Sequence, residues 1–213
     1  MTTLRWHWLG SAGATTAYAR VLAQQHAARE RVWAGEAGVV LLCEHPPVIT
    51  LGRSADQRNV LASRDQLAAD GVSVVPIERG GDVTYHGPGQ LMVYPIVRVR
   101  RGVIDFLERV ASAISDACAV LGAPGAAWRR NPAGVWHGDA KLAACGIHVA
   151  RGVSVHGFAL DVATPRDAWA RIRPCGLAAP QVSLATITNP KLDVEHVAVE
   201  VGPRVVTALS TSG

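Results

Sequence analysis

The stretch RGGDVTYHGPGQ, Arg79 to Gln90, packs four glycines, a proline, a histidine and a tyrosine into twelve residues. Glycines let backbone amides approach a ligand, because no side chain stands in the way. A phosphate-binding loop could use such a segment, but the P-loop lysine is missing, and so is a G-x-G-x-x-G spacing that opens a helix. A long turn with structural glycines fits the same composition. The other reactive side chains are four cysteines, Cys43, Cys118, Cys145 and Cys175. No two form a C-x-x-C pair and no histidine completes a zinc motif with them, so no metal is expected. Cys43 and Cys118 fall within an apolar run and an amphipathic pattern and read as core. Cys175 stands between Pro174 and Gly176, on a turn that can expose a sulfur, although composition alone makes a solitary cysteine a buried small hydrophobe. A thiol of ordinary pKa, about 8.5, needs a nearby ammonium or base to be a strong nucleophile at neutral pH.

Interspersed strands and helices must position these groups. LRWHWL alternates and predicts a first strand, and TTAYARVLAQQHAARERVWAG predicts a helix ending at Gly35. VVLLCEH reads as a buried strand. SRDQLAADG opens on a capping-box pattern, Ser63 to Gln66, and reads as a short helix. VSVVPI and LMVYPIV are strands leading into and out of the glycine-rich stretch. GVIDFLERVASAISDACAVLG carries Val103, Leu107, Val110, Ile114, Ala117 and Leu121 on one face, the clearest amphipathic helix in the chain. KLAACGIHVARGVSVHGFALDV predicts two strands around a turn at Ala150 to Gly152, followed by a short helix in PRDAWARI and a loop in PCGL. DVEHVAVEVGPRVVTAL has helical spacing, with a kink or break expected at Gly202-Pro203. The sum is an α/β fold of the α+β type, with a mixed sheet and hairpins.

At 213 residues and 22.4 kDa the chain can bury a full core, and with no repeat or linker to divide it residues 1–213 read as one domain. No segment resembles a signal peptide or a membrane span, which predicts a cytoplasmic protein with reduced thiols. The formal charge is +4 and the pI near 9.2, but the basic residues are scattered, so neither nucleic acid nor membrane is an expected partner.

RGGDVTYHGPGQ resembles the signature of the lipoyl(octanoyl) transferases. EHPPVITLGR (Glu44 to Arg53), KLAACGIHV (Lys141 to Val149), HGFALDV (His156 to Val162) and RPCGL (Arg173 to Leu177) match the same family in order, over about residues 40 to 185. The resemblance implies a mixed sheet flanked by helices, as in biotin and lipoate protein ligases. It implies transfer of an octanoyl group from acyl carrier protein to a lysine on lipoyl domains of 2-oxoacid dehydrogenases and on the glycine cleavage H protein, by a monomer. No cofactor is implied, since the octanoyl-phosphopantetheine of the carrier is the donor substrate. Cys175 matches the acyl-carrying nucleophile, and Lys141 matches the lysine that activates it. Arg79, Gly80, Gly81, Asp82, Val83, Thr84, Tyr85 and His86 match one wall of the acyl site. Ala144, Cys145 and Gly146, with Gly157, Phe158 and Ala159, match the others. Two further readings share the scaffold: an ATP-dependent lipoate or biotin ligase, which needs no nucleophilic cysteine, and a non-catalytic acyl-binding protein.

Several roles stay open at this level. His86 could donate to the reacting carbonyl or brace its loop. Lys141 could act as a neutral base or as the ammonium partner of a thiolate, and on residue pattern alone it snorkels from a strand end. If Lys141 to Ile147 is extended, period two puts Lys141, Ala143 and Cys145 on one face, with Cys145 about 13 Å from the lysine. Cys145 would then line the acyl site or trap Cys175 as a disulfide.

Overall fold

The computed structural model describes residues 3–10, 14–174, 179–188 and 192–210. Cys175, with the rest of 175–178, lies outside the described residues. In chain order the strands are β1 (Arg5–Trp8), β2 (Val39–Cys43), β3 (Val48–Leu51), β4 (Ser73–Pro76), β5 (Val83–His86), β6 (Gln90–Ile96), β7 (Ala126–Arg130), β8 (Ala133–His137), β9 (Ala140–Ala150) and β10 (Val153–Asp161). The helices are α1 (Tyr18–Trp33), α2 (Arg64–Ala69), α3 (Val103–Val120), α4 (Leu184–Ile187) and α5 (Val194–Ser210). Seven strands form one sheet in the order β1-β2-β6-β10-β9-β8-β7, parallel only between β1 and β2, and β4-β3-β5 form a smaller mixed sheet.

Period two sorts the central strands between two layers of helix. Val40 and Leu42 of β2, with Leu91 and Val93 of β6, face a core closed by α3 and α5. Leu41, Cys43, Met92 and Tyr94 point the other way, toward Val21, Ala28 and Val32 of α1. A strand covered on both faces has no polar side, which is why VVLLC and LMVYPI are continuous apolar runs. The small sheet builds a satellite core, Ile49, Val83 and Tyr85, with Leu67 of α2 and Ala168 and Ile172 of the segment that follows β10.

The predicted elements are present, and α2 carries the capping box in both directions, Ser63 with Gln66. PRDAWARI is a 3₁₀ helix, Arg166–Arg171. Gly202-Pro203 does not break the C-terminal helix, which runs through both residues from Val194 to Ser210. Val197, Val201 and Val205 are fully buried, and a Cβ at Gly202 would lie 2.6 Å from the Trp6 ring, so glycine is what lets α5 lie against β1. That burial outweighs the single ladder hydrogen bond that proline removes. Among the described residues no helix is long and apolar enough to cross a membrane.

Candidate active site

The glycine-rich stretch is held between the two sheets by its own backbone. Arg53 and Ser54 donate to the carbonyls of Arg79 and Gly81, and the Gly80 amide donates to Ile147 of β9 at 2.9 Å. Asp82 turns away from the sheet interface, accepting from the Asp56 amide and from the Asn59 side chain. Beyond it β5 alternates. Val83 and Tyr85 enter the satellite core, where Tyr85 meets the Trp169 ring, and Thr84 and His86 face the other way.

The far wall is the β9/β10 pairing, in which Gly146, Cys145 and Ala144 stand opposite Gly157, Phe158 and Ala159. A Cβ at Gly157 would lie 2.0 Å from the Val93 carbonyl oxygen, so only glycine allows β10 this close to β6. Between the walls is a narrow cavity of about 50 Å³. Arg79, Gly81, Thr84 and His86 line it from the glycine-rich side, and Ala144 to Gly146 and Gly157 to Ala159 from the hairpin. Gly80, Asp82, Val83 and Tyr85 do not reach it.

Four further lining residues, Tyr18, Met92, Tyr94 and His156, escaped the sequence reading. For Met92 and Tyr94 the only signal is their shared parity in LMVYPIV. For Tyr18 there is none, because its helix meets the pocket through tertiary packing. His156 sits in the quoted motif HGFALDV, one residue ahead of the positions matched to the wall.

Arg79, His86, Gln90 and Asp161, buried around the cavity, form one hydrogen-bonded chain through Thr50. Arg79, only 7% exposed, donates to Thr50 through Nε and Nη2 and to its neighbour Gly80 through Nη1. His86 donates from Nδ1 to Gln90 Oε1 at 2.8 Å, leaving Nε2 to accept from the Thr50 hydroxyl at 3.4 Å. Both ring nitrogens are engaged by the protein, which is the bracing arrangement. Burial lowers the His86 pKa to about 3, keeping the ring neutral. Gln90 passes the chain on to Asp161 Oδ1, which also accepts from Thr164 at 2.8 Å.

Burial raises the Asp161 pKa from 3.8 to about 7, outweighing those two hydrogen bonds. An acid whose folded-state pKa is raised binds its proton more tightly when folded, so its contribution to stability falls as pH rises from about 4 to about 7. At about 1.4 kcal/mol per pH unit the loss is bounded at about 4 kcal/mol. Asp161→Asn keeps the accepting oxygen and is expected to flatten this decline, read as melting temperature between pH 4 and 7; an unchanged slope would count against it.

Lys141 stands apart from this cavity. Opposite it, β8 and β9 are out of step: Val135 pairs with Ala143 but Trp136 pairs with Lys141, leaving Leu142 as an extra residue. Directly paired residues share a sheet face and adjacent residues on β8 do not, so Lys141 lies with Trp136 on the face opposite Ala143 and Cys145. This corrects the expectation that period two aligns Lys141 with Cys145. The Lys141 side chain is 6% exposed, its stem passes over Gly134, and its Nζ lies 5.1 Å from the centre of the Trp136 ring. Its backbone N–H donates to Pro180 at 2.8 Å and its carbonyl accepts from Val182 at 3.0 Å. The segment directly after 175–178 is thus fastened to Lys141 as a short parallel bridge.

Residues 16–203 match the lipoyl protein ligase A/B catalytic domain. The chain belongs to the octanoyltransferase family. It is 42% identical over 167 residues to an octanoyltransferase of Koribacter versatilis, covering 74% of this chain and 66% of the relative. It is 44% identical over 169 residues to one of Solibacter usitatus (77% and 76%), and 40% identical over 200 residues to one of Acidobacterium capsulatum (84% and 81%). Family membership makes it an acyltransferase. The fold is that of a lipoate-protein ligase A bound with ATP, with a TM-score of 0.73 at 13% identity over 98% of this chain and 85% of that one. A bi-partite lipoate protein ligase from Thermoplasma acidophilum gives 0.71 at 13% identity, over 98% and 84%. A biotin protein ligase from Aquifex aeolicus gives 0.51 at 14%, over 98% and 69%. The expected mixed sheet of this ligase type is the one observed.

Proposed function

We propose that the chain takes an octanoyl group from octanoyl-acyl carrier protein onto Cys175 as a thioester, and passes it to a specific lysine of a lipoyl domain. The acceptors implied by the family are the lipoyl domains of 2-oxoacid dehydrogenases and the glycine cleavage H protein. The observation that carries this reading is the fastening of Lys141 to residues 180–182, since it ties the sequence-matched lysine to chain only five residues beyond the sequence-matched cysteine. The cavity supplies what an acyl tail needs: Met92, Phe158 and Ala159 offer apolar surface, and Gly146 and Gly157 offer backbone without side chains.

In the first step Cys175 thiolate attacks the thioester carbonyl and the phosphopantetheine thiol leaves. In the second, the lysine amine attacks the enzyme thioester and an amide forms. The first exchange is thioester for thioester and the second is downhill, so the cycle needs no ATP. That requirement separates it from the ligase reading. Incubation with octanoyl-carrier protein in the absence of ATP is expected to add one octanoyl group to the intact mass of the chain. No adduct, with activity appearing only when ATP and a free acid are supplied, would replace this reading with the ligase.

A further inference from the structure

Amide formation leaves a proton over. The acceptor lysine arrives in water as an ammonium with three protons: the amide keeps one, the departing Cys175 thiolate takes one, and the third must leave the site. As the N–C bond forms and the C–S bond breaks, ammonium plus enzyme thioester gives amide, free thiol and one proton. Most described side chains lining the acyl cavity cannot accept it. Tyr18 and Tyr94 are phenols whose pKa values burial pushes up, so they stay protonated and are poor acceptors. Arg79 is a permanent cation. His86 has both nitrogens occupied.

His156 is different. It lines the cavity, is 2% exposed, and among the described residues its Nε2 has no hydrogen-bond partner. It also holds a left-handed backbone, φ 62°, which is uncommon for a residue with a side chain, and Gln25 Oε1 fixes its amide at 2.8 Å. Its Nε2 lies 3.5 Å from Glu78 Oε2, and the other oxygen of Glu78 is 2.7 Å from His26 Nε2, on a side chain 37% exposed.

We propose that His156, Glu78 and His26 form a relay that carries the surplus proton of the acceptor lysine from the acyl cavity to solvent. The relay rests on the acyl-transfer reading and concerns only its second step. As Nδ1 takes the amine's proton, Nε2 gives its own to Glu78 Oε2; the 3.5 Å gap is longer than a formed hydrogen bond, and the charge gained by the ring draws it onto the carboxylate, catalytic contacts commonly tightening only with substrate present. The charged and titratable groups around His156 are consistent with a transient acceptor. Burial foremost, with the nearby Arg79 and His26, lowers its pKa to about 4, so the resting ring is neutral, while Glu78 opposes that shift. His86, neutral on β5, adds no charge. Burial alone would raise the Glu78 pKa, but hydrogen bonds from its own backbone and from His26 hold it at about 2. The carboxylate therefore stands ready as the middle member.

The test compares the two half-reactions. Acyl uptake and single-turnover transfer from preformed octanoyl-enzyme to a lipoyl domain are followed from pH 6.5 to 9.5 for wild type, Glu78→Gln, His26→Ala and His156→Asn, asparagine being tolerant of the left-handed backbone. In each variant transfer at pH 7 is expected to slow at least about tenfold more than uptake. The deficit should close as pH approaches the amine pKa of about 10.4, because a neutral amine brings no surplus proton. Imidazole buffer is expected to rescue His26→Ala. Transfer at the wild-type rate in Glu78→Gln, or a slowing equal at every pH, would overturn the relay. Failure of wild type to take up any acyl group would instead overturn the transfer reading on which it rests.

Discussion

Cys175→Ala is expected to take up no octanoyl mass from octanoyl-carrier protein and to lose transfer altogether, while folding as the wild type does. The chain has four thiols, and the environments of the other three exclude them as the acyl carrier. Cys43 is fully buried, and burial, with the charge of Glu44 next to it, pushes its pKa far up. Cys118 is fully buried within α3, and burial pushes its thiol up to about 12. Neither can present a thiolate to a substrate at neutral pH. Cys145 is the serious competitor, half-buried and on the cavity wall. Its strand position, directly opposite Phe158 and with Ile147 against the α3/α5 core, puts it on the sheet face opposite Met92, Tyr94 and Ala159, which makes it a packing residue at the edge of the wall and not a nucleophile aimed at the acyl tail. Cys145→Val, similar in size and apolar, is therefore the paired control and is expected to keep the adduct. Intact mass and a peptide map of each variant check the assignment. An octanoyl group on Cys145 in Cys175→Ala, or loss of the adduct in a folded Cys145→Val, would reverse it.

What the sequence disclosed and what it hid follow from the range of the interactions involved. α3 was legible because one face of a long helix must be apolar at 3.6-residue spacing. The β9/β10 hairpin was legible because its turn needs left-handed residues, and Arg151 and Gly152 are both at positive φ. β5 was hidden, because VTYH lies among glycines and contributes only two side chains to each of two different environments. β7 and β8 were hidden because AAWRR, on the sheet edge, fully buries only Ala126, and AGVWH, one strand in, is buried on consecutive residues from Gly134 to Trp136 and so shows no alternation. The Arg79 to His86 wall was named as a continuous run, yet β5 shows the pocket only every second residue, so Thr84 and His86 line it while Val83 and Tyr85 do not. The bulge at Leu142 is invisible in KLAACG, and it alone decides which face Lys141 occupies. Tyr18 and the relay of His26, Glu78 and His156 come from three separate segments. No local pattern brings such residues together; only the packing of α1 on β10 and β6 does.

Lys141→Ala is expected to lower the transfer rate by about a hundredfold or more, the usual scale for loss of a positioned proton acceptor or donor. The fold should survive. Both hydrogen bonds that tie residue 141 to Pro180 and Val182 use its backbone, so the alanine variant keeps them and the chain beyond 178 stays anchored. What is lost is the stem over Gly134, three methylenes costing about 2 kcal/mol, and the ammonium beside the Trp136 ring. Lys141→Met restores the apolar stem without the charge and separates packing from chemistry: if the stem alone matters, methionine recovers activity. The thiol itself reports the rest. If Lys141 keeps Cys175 ionised at neutral pH, its removal returns the thiol toward a pKa of about 8.5, leaving roughly 3% thiolate at pH 7 and about 90% at pH 9.5. Alkylation of Cys175 should then slow roughly thirtyfold at pH 7 and hardly at all at pH 9.5. Arginine divides the two remaining roles, since a guanidinium can pair with a thiolate but cannot take up its proton. Lys141→Arg that alkylates normally and transfers slowly assigns the lysine an acid–base role in turnover, and normal behaviour in both assigns it charge alone. Equal slowing of Lys141→Ala at both pH values would remove Lys141 from the ionisation of Cys175 and leave its side chain the task of shaping the site or contacting substrate.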